Sequence, residues 1–280
     1  MKRGAVVADL HCGSSFGLMP PTFTTYDGGT LVQNPGQEYM WRCWDDFTWR
    51  VSQFKPDFII YNGDLIEGPQ TKSKGYEVSL ASEGDQVKAA IEIIQYMQKR
   101  LTHPCKHYFV RGTPYHVGAW GGVEEEIAKQ CNGTPYLSVG TGKYCREVLW
   151  LTVEGVIIEA AHHISGTTGF YRLTGVDREA QWSAMSAKDA TKGVPKSDVL
   201  IRSHVHFYGL GEHASKQIFT TPCWKLQDSY ARKHSVHRFH PDIGGVMLEI
   251  DGEAKKRGNA PCRVIKELYS LPPVKLTSLE

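Results

Sequence analysis

The sequence predicts an α/β fold in which parallel strands alternate with helices and antiparallel strands are added in hairpins. Two observations carry most of this prediction. Short apolar runs typical of buried strands alternate with segments whose apolar residues recur at helical spacing, and the runs end in Asp, His or Arg-Gly. Two hairpin-like segments also favour a mixed sheet or a pair of sheets over a purely parallel sheet. In such folds, ligands bind beyond the carboxyl ends of the strands.

Five apolar runs rich in β-branched residues predict the strands. The first two stop at an Asp, the third at Arg-Gly and the last two at His, so each delivers polar side chains to its carboxyl end. The runs are 4–11, 56–64, 105–112, 156–163 and 197–206.

Three segments between these runs predict helices, because their apolar residues recur at roughly helical spacing. They are 38–54, 82–101 and 123–131. The first overlaps a Trp-rich aromatic region from Tyr26 to Trp49. This region is either an insertion that overhangs the strand ends or an amphipathic helix that covers the sheet, and we favour the helix.

Two further segments predict antiparallel strands. Residues 143–161 contain two apolar stretches on either side of Glu154-Gly155, which is the spacing of a hairpin. Residues 243–258 contain another strand, followed by an Asp-Gly turn. Strands of this kind would join the parallel ones in one or two mixed sheets.

Composition favours one globular domain that spans residues 1–280, since no repeat, low-complexity tract or linker divides the chain. The net charge of +2 gives no strong attraction to nucleic acid or membrane. No run of 18 apolar residues occurs, and the N-terminal apolar run is too short for a secretion signal, so we expect a cytoplasmic protein. The seven cysteines are spread without a C-x-x-C pair, which predicts buried thiols rather than disulfides or a zinc ribbon.

The polar side chains at the strand ends are candidate metal ligands. They are Asp9 and His11, Asp64, His162 and His163, and His204 and His206. Any single Asp-x-His is more often a helix cap and a surface imidazole, but here the groups recur in order at the ends of buried runs. Carboxylate and imidazole together suit Mn²⁺, Fe and Zn²⁺, and the set is large enough for two ions. An Asp shared by both ions would suit two-metal hydrolysis.

The ordered set resembles the calcineurin-like metallophosphoesterases over about 200 residues. The matching motifs are "ADLHCGS" (8–14), "NGDLIEG" (62–68), "VRGTPYH" (110–116), "EAAHH" (159–163) and "RSHVH" (202–206). Within that family, "DLHCGSSFGLMPP" and the Thr-for-Asn exchange described below are most similar to phage-encoded and related bacterial members, which would place the protein in the host cytoplasm.

The resemblance implies a four-layer αββα sandwich, with two mixed sheets packed between helices and a binuclear metal centre at the strand ends. It implies one metal held by Asp9, His11 and His206, with Asp64 as a bridge. The second metal would be held by His162 and His204, with His163 competing with His162. Two divalent ions are therefore expected, most simply Mn²⁺, with Fe or Zn²⁺ as alternatives.

The segment "VRGTPYH" departs from the family, which has Gly-Asn-His at this point. Thr113 takes the place of the Asn ligand, and a hydroxyl is a poorer metal ligand than an amide carbonyl. Pro114 takes the place of the His and cannot donate a proton. His116 can replace it as general acid, can replace the missing metal ligand, or is a loop histidine with no role. Arg111 is either a clamp for a phosphate oxygen or a solvated charge.

The predicted reaction is hydrolysis of a phosphate mono- or diester by a hydroxide formed at the binuclear centre. Cys12, beside His11, is interpreted as a packing residue rather than a nucleophile. Two alternatives remain open: a non-catalytic metal- or nucleic-acid-binding protein that keeps the fold, and a protein whose metals are structural.

The substrate prediction is less specific, and includes nucleotides and nucleic acid. The segment 229–241 places basic residues and histidines among Tyr230 and Phe239, so it can track a nucleic-acid backbone and stack bases. The other interpretation of this segment is a solvated loop. No membrane partner is expected.

Overall fold

The computed structural model describes residues 1–71, 74–118, 122–138, 141–164, 172–213, 216–234, 240–273 and 277, and side chains are described in the same ranges except 137–142 and 234. The first half of the chain contains strands β1 (Lys2–Val7), β2 (Thr22–Thr24), β3 (Thr30–Val32), β4 (Phe58–Asn62), β5 (Lys106–Val110), β6 (Tyr136–Ser138) and β7 (Thr141–Lys143). The second half contains β8 (Cys145–Arg146), β9 (Val148–Val153), β10 (Val156–Ala161), β11 (Val199–Arg202), β12 (Gly209–His213), β13 (Lys216–Thr220), β14 (Ile243–Ile250) and β15 (Cys262–Tyr269). The helices are α1 (Pro35–Phe54), α2 (Glu83–Arg100), α3 (Pro114–Val117), α4 (Gly122–Gln130), α5 (Arg172–Ser186), α6 (Ser229–His234) and α7 (Gly252–Lys256).

Two mixed sheets form the centre of the molecule. The six-stranded sheet has the order β15-β14-β1-β4-β5-β8. Strands β1, β4, β5 and β8 run parallel, β14 runs antiparallel to β1, and β15 runs antiparallel to β14. The five-stranded sheet has the order β12-β13-β11-β10-β9, in which β10, β11 and β13 run parallel and the two edge strands are antiparallel. The predicted pair of mixed sheets is confirmed.

Three apolar clusters show that the architecture has four layers. One cluster lies between the six-stranded sheet and helices α1, α2 and α4, and includes Trp44 and Ile94. A second fills the space between the sheets, where Val6 and Ile60 share a core with Ile158. The third lies between the five-stranded sheet and α5, where Val176 packs. The predicted αββα sandwich is therefore confirmed, with an apolar layer on both faces of each sheet.

Local sequence explains where several elements begin and end. The α1 helix starts at a capping box, in which Asn34 and Gln37 each bond the other's backbone N–H, and the residue that follows its last turn, Lys55, lies in the left-handed region. The predicted hairpin is confirmed between β9 and β10. Its turn residues Glu154 and Gly155 have φ of 49° and 78°, the signs that a two-residue hairpin turn requires.

The structure corrects one prediction and adds several elements. The expected Asp251-Gly252 turn is the start of helix α7, because the Asp251 side chain accepts hydrogen bonds from two N–H groups of its first turn. The aromatic region up to Trp49 is chiefly α1, whose buried face includes Met40 and Phe47, so the interpretation as a covering helix is confirmed. Strands β12, β13 and β15 and helix α5 were not predicted.

The cysteines and helices agree with what the composition predicted of them. All seven cysteines are free thiols, and all but Cys105 are buried. Burial raises the pKa of Cys12 well above its usual range, as expected for a packing residue rather than a nucleophile. Within the described ranges, every helix is too short or too polar to cross a bilayer.

Candidate metal centre

The predicted ligands come together because the two sheets present the carboxyl ends of their parallel strands at one common edge. In the six-stranded sheet, Asp9 and His11 follow β1, Asp64 follows β4 and Thr113 follows β5. In the five-stranded sheet, His162 follows β10, and His204 and His206 follow β11. The candidate ligands thus come from both sheets and lie at one end of the apolar core that the sheets share.

One group of potential ligands consists of Asp9, His11 and His206. The Nε2 atoms of the two histidines lie 3.1 Å apart. Asp9 Oδ1 lies 3.2 Å from His206 Nε2 and 3.7 Å from His11 Nε2. Asp9 and His11 are buried, whereas the His206 side chain is 27% exposed.

A second group consists of Asp64, His162 and His204. Asp64 Oδ2 lies 3.0 Å from His162 Nε2 and 3.9 Å from His204 Nδ1. The two groups adjoin, because His162 Nε2 is also 3.8 Å from Oδ1 of Asp9. His162 and Asp64 are buried, and the His204 side chain, 38% exposed, forms the outer edge of the group.

A third combination links the first two through His116. Its Nε2 lies 3.9 Å from Asp64 Oδ2, its ring packs edge-on against His11 at 4.6 Å, and the three residues form a further group of potential ligands. Asp64 therefore belongs both to a group with His11 and to a group with His162. A carboxylate in this position lies between the two halves of the site.

The backbone at the site adopts an unusual conformation. Five candidate ligands have positive φ in the left-handed region: Asp9 (55°), His11 (47°), Asp64 (51°), His204 (72°) and His206 (57°). For a residue with a Cβ this conformation costs about 1–2 kcal/mol relative to the right-handed region. Such strain concentrates at functional sites, where the surrounding fold holds it in place.

Two glycines allow the loops after β4 and β5 to approach one another. A Cβ on Gly63, whose φ is 83°, would lie 2.7 Å from Gly112 Cα and 2.7 Å from His162 Nδ1. A Cβ on Gly112 would collide with Asp64. Only glycine fits at either position while Asp64 and His162 keep their contact.

The electrostatics of the site favour positive charge. Burial opposes ionisation of Asp9 and Asp64, but neighbouring histidines hold the pKa of both carboxyls below their usual range. Burial alone would lower the pKa of His162, yet Asp64 and Asp9 raise it to about 10. The buried pair of carboxylates thus stabilises a cation between them.

The donor atoms also fit a metal ion in their hydrogen bonding. Asp9 Oδ1 is buried and has no hydrogen-bond partner among the described residues, although it faces two imidazoles. His162 Nδ1 lies 2.6 Å from the Asn62 carbonyl oxygen. Because a carbonyl only accepts, Nδ1 carries the hydrogen, which directs Nε2 toward the carboxylates in the manner typical of metal-binding histidines.

The remaining candidates differ in position. Thr113 donates from its backbone N–H to Asp64 Oδ1 at 2.7 Å, and its hydroxyl lies 3.1 and 3.2 Å from the two Asp64 oxygens. His163 is exposed and its ring packs on His204 at 4.8 Å, outside the ligand groups. Arg111 pairs with Glu147 at 3.0 Å, and no contact with the ligand groups is seen within the described residues.

Burial lowers the pKa of His116 to about 4, with a further contribution from His11. His116 Nδ1 lies 2.6 Å from the Glu67 carbonyl oxygen, so this nitrogen carries the hydrogen. The imidazole is therefore neutral, and its Nε2 presents a lone pair to Asp64 and the other ligands. A lone pair accepts a proton or binds a metal, but it has no proton to deliver.

Sequence reasoning missed four residues that support the site. Asn62 donates from its amide to the Ala161 carbonyl and the Ser203 hydroxyl, and so ties β4 to the strand ends of the other sheet. Glu124, on α4, accepts hydrogen bonds from the Leu65 and Gly112 backbone N–H groups. The other two are Glu67 and Lys225. Glu67 could have been found from its position in the motif "NGDLIEG", three residues after Asp64. Nothing in the sequence pointed to Lys225.

Comparison with solved structures finds weak similarity. Vps29 from Entamoeba histolytica in complex with Zn²⁺ is 12% identical, with a TM-score of 0.38 over 94% of this chain and 98% of that one. Vps29 from Chaetomium thermophilum is 12% identical, with a TM-score of 0.42 over 100% of both chains. An archaeal phosphodiesterase is 8% identical, with a TM-score of 0.43 over 95% of this chain and 99% of that one. Similarity at this level carries no conclusion about function. No protein-family model and no curated protein matches the chain.

Proposed function

We propose that this protein is a metal-dependent phosphoesterase of the calcineurin-like type, which hydrolyses phosphate mono- or diesters. One observation carries the proposal. Two groups of carboxylate and imidazole ligands, one around Asp9 and one around Asp64, adjoin through His162 at the common edge of two sheets. This arrangement offers places for two divalent cations side by side, which is the ligand chemistry of two-metal hydrolases.

The ligand assignment follows from the contacts. Asp9, His11 and His206 would hold one ion, and His162 and His204 the other, with Asp64 shared. When bound, two divalent ions lower the pKa of a water and neutralise charge on phosphoryl oxygens. Mixed carboxylate and imidazole ligands suit Mn²⁺, Fe or Zn²⁺. The protein's own contribution is to hold these donors, and Asp64 in particular, in one fixed arrangement.

We further propose that Thr113 positions Asp64 and that His116 supplies the donor that Thr113 does not. The Thr113 amide and hydroxyl both point at Asp64, which fixes the orientation of its carboxylate. His116 Nε2 has a free lone pair beside Asp64 and His11. We favour this role as a replacement ligand over that of a general acid. The neutral imidazole carries its hydrogen on Nδ1, which bonds the Glu67 carbonyl oxygen, so the Nε2 that faces the site has no proton to give. The position of Arg111 offers no support for a phosphate clamp.

The test of the function is Asp64→Asn, assayed on bis(p-nitrophenyl) phosphate and p-nitrophenyl phosphate with saturating Mn²⁺. We expect hydrolysis to be abolished while the circular dichroism spectrum is unchanged, since the substitution removes charge but little volume. Asp189→Asn, at an exposed position outside the ligand groups, is the matched control and should retain full activity. Wild-type turnover in Asp64→Asn would exclude the proposed centre.

The wild-type assay also separates substrate classes. Preference for the diester would indicate a nuclease-like phosphodiesterase that acts on nucleotides or nucleic acid. Preference for the monoester would indicate a phosphatase. A wild-type protein that binds metal but hydrolyses neither ester would favour the alternative of a non-catalytic binding protein. The basic segment 229–241 lies partly outside the described residues. Nucleic-acid binding by that segment, the single domain, the cytoplasmic location and the similarity to phage-encoded members stay predictions.

A further inference from the structure

A buried lysine lies beneath the first ligand group and has no part in the function proposed above. Lys225 follows β13 and is only 4% exposed. Its Nζ lies 2.9 Å from Glu67 Oε1 and 3.0 Å from Asp228 Oδ2. An ammonium group this deeply buried is unfavourable unless it is paired, so the two carboxylates account for its position.

The same Glu67 carboxylate connects Lys225 to a candidate ligand. Its other oxygen, Oε2, lies 2.7 Å from His11 Nδ1, and both residues are buried. Neither atom has a hydrogen-bond partner in the described part of the chain, and their contact is close but not aligned as a hydrogen bond. The separation is nevertheless within hydrogen-bond distance. Glu67 therefore lies between a fixed positive charge and the nitrogen of His11 that faces away from the other ligands.

We propose that Lys225 is a positioning residue of the metal centre, which acts through Glu67 to fix the ring orientation and tautomer of His11. The inference rests on the proposed function. An ionised carboxylate only accepts, so Glu67 beside Nδ1 places the hydrogen of His11 on that nitrogen. Nε2 is then left with its lone pair directed at Asp9 and His206. Lys225 holds the carboxylate in place for this purpose.

A purely structural role for Lys225 makes a different prediction. Its second partner, Asp228, accepts a hydrogen bond from Ala231 N–H at 2.9 Å at the start of α6. In a purely structural role, the two ion pairs of Lys225 would link α6 to the loop after β4, with no effect on His11. Removal of such a link lowers the stability of the protein but leaves its affinity for metal unchanged once it is folded. Removal of a positioning residue lowers the affinity itself.

The experiment compares Lys225→Met with Lys216→Met by calorimetric titration of Mn²⁺ and by thermal midpoint with and without Mn²⁺. Lys216 is the matched control because it is 5% exposed and bonds through Nζ to Ser183 on α5, outside the ligand groups. We expect Lys225→Met to weaken one of the Mn²⁺ sites by ten- to a hundredfold, the usual effect of losing a residue that orients a metal ligand. Lys216→Met should bind Mn²⁺ as the wild type does, even if it is less stable.

A second variant keeps the test decisive if Lys225→Met does not fold. Glu67→Gln preserves volume and should weaken the same Mn²⁺ site by a similar factor. In the double variant that combines Lys225→Met with Glu67→Gln, the Mn²⁺ affinity should be no lower than in Glu67→Gln alone, because Lys225 acts through Glu67. Wild-type affinity in folded Lys225→Met, or in Glu67→Gln, overturns the inference while the metal centre stands. If the wild-type protein binds no Mn²⁺, the proposed function and this inference fail together.

Discussion

At the scale of single residues, the adjacent histidines His162 and His163 at the end of β10 lie in very different environments. His162 is buried, with Nδ1 2.6 Å from the Asn62 carbonyl oxygen and Nε2 3.0 Å from Asp64. His163 is exposed, and its ring packs on His204. We expect His162→Ala to lose about one equivalent of bound Mn²⁺ and His163→Ala to keep the wild-type amount. Metal analysis after gel filtration measures both. The reverse result, with metal lost only from His163→Ala, would exchange the two roles.

His116 gives a second prediction for a single residue. If its Nε2 is a metal ligand, His116→Ala should weaken Mn²⁺ binding and slow esters with good and poor leaving groups to a similar extent. The comparison uses p-nitrophenyl and phenyl phosphates over a range of Mn²⁺ concentrations. A general acid would give another pattern, with unchanged metal content and a selective loss on the phenyl ester, whose leaving group needs protonation.

The ligands themselves could be predicted from the sequence, but the residues that hold them could not. Asp9, Asp64 and His162 stand at the ends of apolar runs, where strand geometry makes their proximity foreseeable. Glu124 belongs to an acidic run on α4, and in the sequence nothing separates its buried carboxylate from those of the half-buried Glu125 and the exposed Glu126. Lys225 is brought beneath Glu67 only by the folded arrangement of segments that lie 158 residues apart.

At the level of secondary structure elements, helix α4 joins the two loops that carry Asp64 and Thr113. Its Glu124 carboxylate accepts from Leu65 N–H at 3.2 Å and from Gly112 N–H at 2.6 Å. Glu124→Ala leaves two inward-facing N–H groups without a partner, so we expect a loss of about 2 kcal/mol or more in the free energy of unfolding. Urea denaturation measures it.

The control for this prediction is Glu126→Ala, on the exposed face of the same helix, where the carboxylate bonds only Gln130 within the described residues. Its stability should change by less than about 0.5 kcal/mol. Equal losses in the two variants would show that α4 as a whole, rather than the Glu124 contact, sets the stability of this region.

Two of the strands that the sequence failed to predict, β12 and β15, are edge strands. Strand β12 is a short edge strand with the sequence Gly-Leu-Gly-Glu-His, which lacks both a continuous apolar run and a clear alternation. Strand β15 has charged residues at Arg263, Lys266 and Glu267, as expected of an edge strand that must not pair further. The central parallel strands that were predicted are apolar on both faces, whereas β13, also central and parallel to β11, begins with Lys216 and Gln217 and was missed for that reason.

For the whole molecule, acid stability depends in part on a histidine far from the strand-end ligands. His107, on β5, is 7% exposed, and burial lowers its pKa from 6.5 to about 4. Between these pH values, the unfolded chain binds a proton that the folded protein does not. The free energy of unfolding must therefore fall as the pH is lowered from 6.5 to 4, by up to about 1.4 kcal/mol per pH unit from this group.

The measurement is urea denaturation of the wild type and of His107→Asn at pH 7 and at pH 4.5. Asn keeps a polar atom near the Tyr61 hydroxyl, which lies 3.4 Å from His107 Nδ1, but it does not titrate. We expect the stability lost on acidification to be smaller in the variant. If both proteins lose the same amount, the proton uptake that drives acid unfolding occurs elsewhere.

The left-handed backbone at the ligand loops has a consequence for laboratory evolution. Glycine at His204, whose side chain is 38% exposed, would relieve a backbone strain of about 1–2 kcal/mol and would also remove a polar group from the site. A library selected only for resistance to heat, in the absence of metal, should therefore accumulate glycine at this position, and sequencing of its survivors would show it. Such survivors would be more stable and less active, since the left-handed conformation that places the ligand also lowers stability.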